Sequence, residues 1–178
     1  ITLGIIRYGI KKTVNHGIPS VLYSLSKRKG IIPAYQMFSS ILTAPITIGF
    51  GGSAGLEGPT VSGGASIASN LSRLLHLNQA TRSLMIGCAA AGAMSAIFKA
   101  PIAAIIFAIE VFSLDLTLTS LLPLLFASVS ALLTTYFFFG STLLLPFELI
   151  DHFNLNHIGN YMIFGVVSGL SAINFTQV

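Results

Sequence analysis

Long apolar stretches alternate with short polar or glycine-rich segments along the whole chain. Several of these stretches approach the roughly 20 residues that a helix needs to cross a bilayer. Their pattern predicts helices over residues 33–48, 59–75, 83–97, 102–112, 116–146 and 158–175. The stretch 116–146 carries no charge and is long enough to cross with tilt or with a break at Pro123. We therefore expect an all-α integral membrane protein.

Three short breaks interrupt the apolar sequence: N-H-G-I-P at residues 15–19, G-L-E-G-P at 55–59 and F-K-A-P at 98–101. Each break stops one helix and restarts another at a proline, which fits a first helical turn because it has no N–H to satisfy. Irregular backbone at membrane depth is tolerated only when it is buried in protein or lines a cavity. Transporters build midplane binding sites from such interrupted helices. At the third break the cation Lys99 stands beside the helix start, so a packing or surface role is expected there.

The helix after the first break is short and ends at the basic cluster K-R-K-G of residues 27–30. At 1.5 Å per residue it cannot span a bilayer. Two interpretations stay open. It is a half-spanning helix that starts at depth and ends at the cytoplasmic face, or a surface helix with a solvated basic end.

Composition agrees with a membrane location. Of 178 residues, 53% are hydrophobic and 8% are charged, whereas about 25% of residues in a soluble domain are charged. The net charge is +4, but the basic residues lie between apolar runs, as in cytoplasmic loops, so nucleic-acid binding is not expected. The single cysteine, Cys88, lies among small residues and is predicted to pack in a helix. The sequence shows no nucleotide-binding or metal-binding motif, and we expect no cofactor and no metal.

Glu57 is the single charged residue between Gly30 and Ser72. An ionisable group inside a membrane is costly and marks a functional site by default. It stands where a helix starts, and the free N–H groups and positive dipole end of a helix bind anions. A carboxylate and an anion compete for the same donors, so we expect an anion site whose occupant competes with the carboxylate of Glu57. The alternative is that Glu57 only caps the helix in a solvated loop.

The same three breaks carry a resemblance to the CLC family of chloride channels and anion/proton antiporters. G-L-E-G-P matches the family's G-x-E-G-P signature, N-H-G-I-P resembles its G-S-G-I-P signature, and F-K-A-P is similar to its F-N-A-P helix start. The likeness runs along nearly the whole chain. It implies a CLC-type bundle of interrupted and half-spanning helices, incomplete in this chain. Residues 1–178 would be part of a single transmembrane domain, comprising most of the first inverted repeat and the start of the second.

The resemblance also implies partners and a location. The family forms homodimers with one anion pathway per subunit, so chloride or a similar anion, a second copy and the lipid bilayer are the expected partners. We expect the copies to meet through residues 102–112 and 116–127. An integral protein of the plasma (inner) membrane of a prokaryote is the expected setting.

By that resemblance Glu57 is the gating glutamate. The anion-binding residues would be Gly58, Pro59 and Thr60 after the second break, with His16, Gly17 and Ile18 at the first. His16 stands where the family usually places an anion-binding serine. It can donate to an anion through a ring N–H, or it can cap the helix that follows. Leu56 fills a position that is often basic in the family.

Proton coupling depends on the pair Glu110 and Val111, the candidate inner-pathway residues. Family antiporters commonly carry two adjacent acids there, whereas an acid followed by valine resembles family channels. Valine cannot carry a proton, so a channel-like passage of anions is expected. A proton-coupled antiporter of the same family is the alternative, since some antiporters lack that second acid. Glu110 itself is alternatively a helix-end group paired with a neighbour.

The sequence also bears on two other classes of function. The sequence G-G-S-A-G at residues 51–55 fits the G-x-S-x-G nucleophile elbow of serine hydrolases. That motif needs a preceding strand and an oriented histidine–acid pair, and here helices are predicted on both sides. We therefore expect no enzyme activity, with an intramembrane serine hydrolase as a remote alternative. A purely structural or assembly subunit is the other alternative.

Overall fold

The computed structural model describes residues 17–52, 55–115, 117–140 and 157–177. Seven helices lie in these ranges: α1 (Ile18–Lys27), α2 (Tyr35–Gly49), α3 (Glu57–Leu74), α4 (Gln79–Phe98), α5 (Pro101–Phe112), α6 (Leu118–Phe139) and α7 (Ile158–Gln177). These described segments contain no strand, and the predicted all-helical fold is confirmed. Two of the helices, α4 and α6, are long and apolar enough to cross a membrane.

The helices follow the sequence pattern, but several bounds differ: α4 begins at Gln79 and not at residue 83, and α6 ends at Phe139 and not at residue 146. A break at Pro123 was one of two expectations for this span, yet α6 runs through Pro123 without interruption. Pro45 lies inside α2 in the same way. A proline removes one hydrogen bond from a helix interior, and membrane helices tolerate this where neighbouring groups satisfy the freed carbonyl.

The chain forms two compact units, residues 1–144 and residues 145–178. In the described part of the second unit, α7 is a single apolar helix whose described side chains are exposed. In the first unit, α4 lies at the centre and packs against α3, α5 and α6. The buried apolar cluster of this unit is built from these residues: Val21, Ile32, Val61, Ala65, Ala68, Ile86, Ala90, Ala91, Ala108, Phe112 and Leu124.

Small residues let α4 approach its neighbours closely. A Cβ added to Gly64 of α3 would lie 3.2 Å from the carbonyl oxygen of Ala89, and one added to Gly92 would lie 3.5 Å from that of Ala127. The side chain of Leu114 occupies the space beside Gly87. This is the packing role expected of small residues at helical spacing in membrane proteins.

Ser95 joins α4 to α6 by a buried hydrogen bond, which gives a stability prediction. Its hydroxyl donates to the Ser128 carbonyl at 2.7 Å, and the Ser95 side chain is fully buried. We expect Ser95→Ala to lower the free energy of unfolding by about 0.6–2 kcal/mol, the range found for interhelical hydrogen bonds in membranes. The measurement is reversible unfolding of the full-length protein in mixed micelles. Ser130→Ala is the control, because the Ser130 hydroxyl is exposed and donates within its own helix. Equal losses in the two variants would contradict the prediction.

Candidate anion site

The second break separates α2 from α3. Helix α2 ends at Gly49 and α3 begins at Glu57, and between them Gly51 adopts a φ of +79°. The sequence predicted a restart at Gly58–Pro59, but α3 begins at Glu57, so Pro59 is its third residue. Proline fits there because N–H groups of the first turn have no acceptor within the helix. The carboxylate therefore sits on the first helical residue.

The first break is built on Gly17, the N-cap of α1. Its φ of +92° and ψ of 179° lie in a region that is essentially restricted to glycine. The N–H and the hydroxyl of Ser20 both donate to the Gly17 carbonyl, at 3.2 and 2.9 Å. Both donors of Ser20 are thus used within the first turn of α1. The N–H of Ile18, at the start of the helix, has no intrahelical acceptor. His16 lies outside the described residues.

The starts of α1 and α3 meet. A Cβ added to Gly58 would lie 3.4 Å from the Cα of Gly17, so the two backbones touch through glycines that carry no side chain. The positive dipole ends of two helices are thereby brought to one place. Paired helix N-termini with free N–H groups favour an anion there. The structure therefore brings Gly17, Ile18 and Gly58 together.

Thr60 does not add a donor to this place. Its N–H donates to the Leu56 carbonyl at 3.1 Å, and its hydroxyl donates to the same oxygen at 2.7 Å. Pro59 has no N–H at all. In the first turn of α3, the backbone donors without an intrahelical acceptor are therefore those of Glu57 and Gly58.

The Glu57 side chain is half-buried and folds back towards the chain that precedes α3. Its Oε2 lies close to the position that a Cβ on residue 55 would take, so a side chain there would require the carboxylate to move. In the part of the chain that the structure describes, no hydrogen bond or ion pair holds the carboxylate. Within the described residues, its position is therefore not fixed by a hydrogen bond or an ion pair.

An apolar cavity of about 470 Å³ lies beside the first turn of α3, between α2, α3 and α4. Leu56, Pro59 and Thr60 form its wall on the α3 side. The lining residues carry no charge, and the Thr60 hydroxyl is already bonded to Leu56. This cavity therefore offers no charged group and no free hydroxyl to an anion.

The third break has a structural role, as expected from Lys99. This residue ends α4 in a left-handed conformation with a φ of 53°. Its ammonium donates to the Gly140 carbonyl at 2.6 Å and lies 4.7 Å from the centre of the Tyr136 ring. A cation at the last carbonyls of a helix is favourable, so Lys99 closes the C-terminal end of α6.

Glu110 and Val111 lie in the last turn of α5, where Glu110 is exposed and Val111 packs on the buried cluster. The residues that follow, Phe112 and Leu114, line a cavity together with Leu25 near the end of α1. The pair therefore lies towards the basic end of α1.

Arg82 is a structural residue that the sequence pattern did not single out. The Arg82 guanidinium donates to the Ser72 hydroxyl at 3.2 Å and to the carbonyls of Lys29 and Leu77, both at 3.1 Å. It thus fastens the chain after α1 to the end of α3. A signal was available: Arg82 is the fourth residue of α4, and a cation near a helix N-terminus opposes the dipole unless it has another partner.

Ser69 reinforces the same connection. Its hydroxyl donates to the Gly30 carbonyl at 2.6 Å and accepts from the Ile32 N–H at 2.9 Å. Asn70 donates to the Ile32 carbonyl at 3.3 Å. Helices α1 and α3 therefore run side by side, joined at their starts by the two glycines and at the other end by polar groups.

A bundle of apolar helices, broken so that two helix N-termini meet inside it, has the construction of a membrane transport protein. A sequence profile described as voltage gated chloride channel matches residues 1–178. The chain belongs to this family, the CLC family. Its members are integral membrane channels and transporters rather than enzymes, in agreement with the expectation of no enzyme activity.

Individual relatives agree with this assignment. The chain is 25% identical over 170 residues to a ClcB-like protein of Ralstonia nicotianae, covering 93% of this chain and 40% of the relative. It is 28% identical over 131 residues to the H(+)/Cl(-) exchange transporter ClcA of Vibrio cholerae, covering 72% of this chain and 28% of that protein. It is 33% identical over 87 residues to chloride channel protein CLC-e of Arabidopsis thaliana, covering 49% of this chain and 12% of that one. No solved structure matches the chain.

The chain thus spans less than half the length of these relatives.

Proposed function

We propose that the full protein passes chloride or a similar small anion across a membrane, at a site formed where α1 and α3 start. The observation that supports this most directly is the contact between Gly17 and Gly58. A Cβ added to Gly58 would lie 3.4 Å from the Cα of Gly17. Donors from two helices then face one small volume, in which a side chain would block the approach. Gly17, Ile18 and Gly58 would bind the anion, and the neighbouring Pro59 and Thr60 would shape the turn.

The lengths of the helices support a site near the middle of the membrane. Helix α1 has ten residues and ends at Lys27, so it measures about 15 Å. This is half of the roughly 30 Å of a bilayer core. With the basic end at the cytoplasmic surface, the start of α1 would lie near the midplane. A surface helix would instead leave the Gly17–Gly58 contact in the headgroup region.

Glu57 would act as the gate. Its carboxylate has no recorded partner among the described residues and sits on the first residue of α3, beside the donors that an anion would need. Held on those donors, the ionised group excludes an anion by occupation and by like-charge repulsion. Protonation removes both effects, so flux would rise as pH falls. His16 would contribute a donor from the first break or cap α1.

A channel-like mechanism is the first candidate, and Val111 is the residue that favours it. A proton-coupled antiporter is the second candidate, because the related Vibrio cholerae protein is an H(+)/Cl(-) exchange transporter. Glu110 is the acid nearest to Val111 in the sequence and is exposed. An exposed carboxylate is accessible to protons from water, so Glu110 is compatible with the antiporter mechanism.

The reversal potential of the full-length protein in planar bilayers distinguishes the two. Under crossed chloride and pH gradients we expect the potential to follow the chloride gradient and to stay unchanged when the pH gradient is reversed. An exchanger of fixed stoichiometry would shift its reversal potential with pH. Val111→Glu is the matched variant, since it supplies the second acid of the family's antiporters. A pH-dependent potential in the parent protein would overturn the channel mechanism and leave anion transport in place.

The same proposal extends to assembly and location. Two copies would meet through the apolar faces of α5 and α6, where Ile102, Ile106 and Phe126 are exposed in the single chain. Residues 1–178 would form part of one transmembrane domain, the first inverted repeat and the start of the second. The plasma (inner) membrane of a prokaryote is the proposed setting. Crosslinking of the full-length protein in mild detergent tests the pairing, and a purely monomeric result would contradict it.

A further inference from the structure

A basic cavity lies at the ends of α1 and α3, away from the proposed anion site. Its volume is about 540 Å³, and its lining residues are Lys27, Arg28, Lys29, Ile31, Pro33 and Arg73. This volume falls in the range of about 300–1,000 Å³ that is usual for ligand pockets. Four of the six lining side chains are cations. The cavity therefore concentrates nearly half of the nine lysines and arginines of the chain.

These cations are not compensated within the described residues. No carboxylate described by the structure forms an ion pair with any of the four, and Arg28 has only a ring contact, 5.5 Å from the centre of Tyr23. The carbonyl of Lys29 is held by Arg82 at 3.1 Å, which fixes the backbone of this cluster. The fold thus holds these cations close together, and their positive potential favours the binding of an anion.

Exposed aliphatic side chains lie beside the cavity, together with the polar Asn70 and His76. Ile31, which lines it, is 40% exposed, and Leu74, which follows Arg73, is 74% exposed. A second cavity of about 380 Å³ adjoins at Arg73 and includes Leu74. Basic side chains next to exposed aliphatic ones match the boundary between headgroups and acyl chains. A free phosphate would use the cations alone, whereas a phospholipid would use both parts.

We propose that this cavity binds the headgroup of an anionic phospholipid, with its phosphate on Lys27, Lys29 and Arg73 and its acyl chains along Ile31 and Leu74. The charge of the site is complementary to a phosphate diester, and a guanidinium can bind two phosphate oxygens at once. Members of the family are integral membrane proteins, so phospholipids of the bilayer surround the cavity. The proposal concerns a lipid site and does not depend on Glu57 or on the mode of anion transport.

The test measures lipid binding to the detergent-purified full-length protein by native mass spectrometry, with phosphatidylglycerol and phosphatidylcholine as probes. We expect phosphatidylglycerol to bind more tightly than phosphatidylcholine. We expect Arg73→Gln to weaken phosphatidylglycerol binding about fivefold, the effect of one cation at a membrane surface. Lys99→Gln is the matched control, because it removes one positive charge from a residue that does not line the cavity. Its binding should stay within about twofold of the parent.

Each other result would overturn the proposal. Equal binding of the two lipids would show that the cations do not select the headgroup. Equal losses in the Arg73 and Lys99 variants would show general charge attraction instead of a site. Displacement of phosphatidylglycerol by inorganic phosphate would identify a free-anion site. The unfolding midpoint of each variant shows whether it remains folded. If Arg73→Gln does not remain folded, Lys29→Gln takes its place in the experiment.

Discussion

Glu57→Gln in the full-length protein is expected to leave anion flux intact or faster and to remove most of its pH dependence. Glutamine keeps the volume of the side chain and removes its charge, so it imitates the protonated carboxyl. The donors at the starts of α1 and α3 would then be open to the anion at every pH. Any proton coupling should be lost as well, because no titratable group would remain at this position. The measurement is anion flux from proteoliposomes between about pH 3.5 and 7.5, a range that includes the ordinary pKa of a glutamate side chain in water.

Asp115→Asn is the control for this experiment, since it removes one carboxylate from an exposed position that has no assigned part in the pathway. It should keep the pH response of the parent. His16→Ser should change the preference among anions and also keep that response. A pH dependence as steep in Glu57→Gln as in the parent would remove Glu57 from the gate. A histidine such as His16 would then be the better candidate, because histidine is the side chain that ordinarily changes charge near neutral pH.

The course of the helices could be predicted from the sequence, because apolar runs and prolines act locally. The three breaks, the short α1 and the basic end of α1 all follow from this local pattern. The start of α3 was placed two residues late, since proline fits several positions of a first turn. Membership in the CLC family was also predictable, because the three motifs occur in one order.

The assembly of the site could not be predicted from the same pattern. Gly17 and Gly58 meet across two helices that are distant in sequence, and no local preference specifies such a contact. The N–H and hydroxyl of Thr60 both donate to the Leu56 carbonyl. This pairing depends on where α3 begins, which the motif alone does not specify. Lys99 and Arg82 bond to carbonyls on other elements. Backbone acceptors exist at every residue, so a sequence does not show which one a long cation will reach.

Arg82→Ala is expected to destabilise the protein strongly, because it removes three hydrogen bonds from one charged group. The carbonyls of Lys29 and Leu77 and the hydroxyl of Ser72 would lose their donor together. Hydrogen bonds to charged groups contribute about 1.5–3 kcal/mol each when buried, and water can replace those at the exposed side. We therefore expect a loss of about 2–4 kcal/mol in the free energy of unfolding. The measurement is unfolding of the full-length protein in mixed micelles.

Arg73→Ala is the matched control, since Arg73 is exposed and lies in the last turn of α3, close to the same connection. Its loss should stay within about 0.5 kcal/mol, as for ordinary surface positions. Arg82→Lys should fall between the two, because an ammonium keeps the charge but cannot reach three acceptors in the geometry of a guanidinium. Equal losses in Arg82→Ala and Arg73→Ala would show that the three bonds do not hold α1 to α3. In that case Ser69, which bonds to both Gly30 and Ile32, would carry the connection, and Ser69→Ala should show the larger loss.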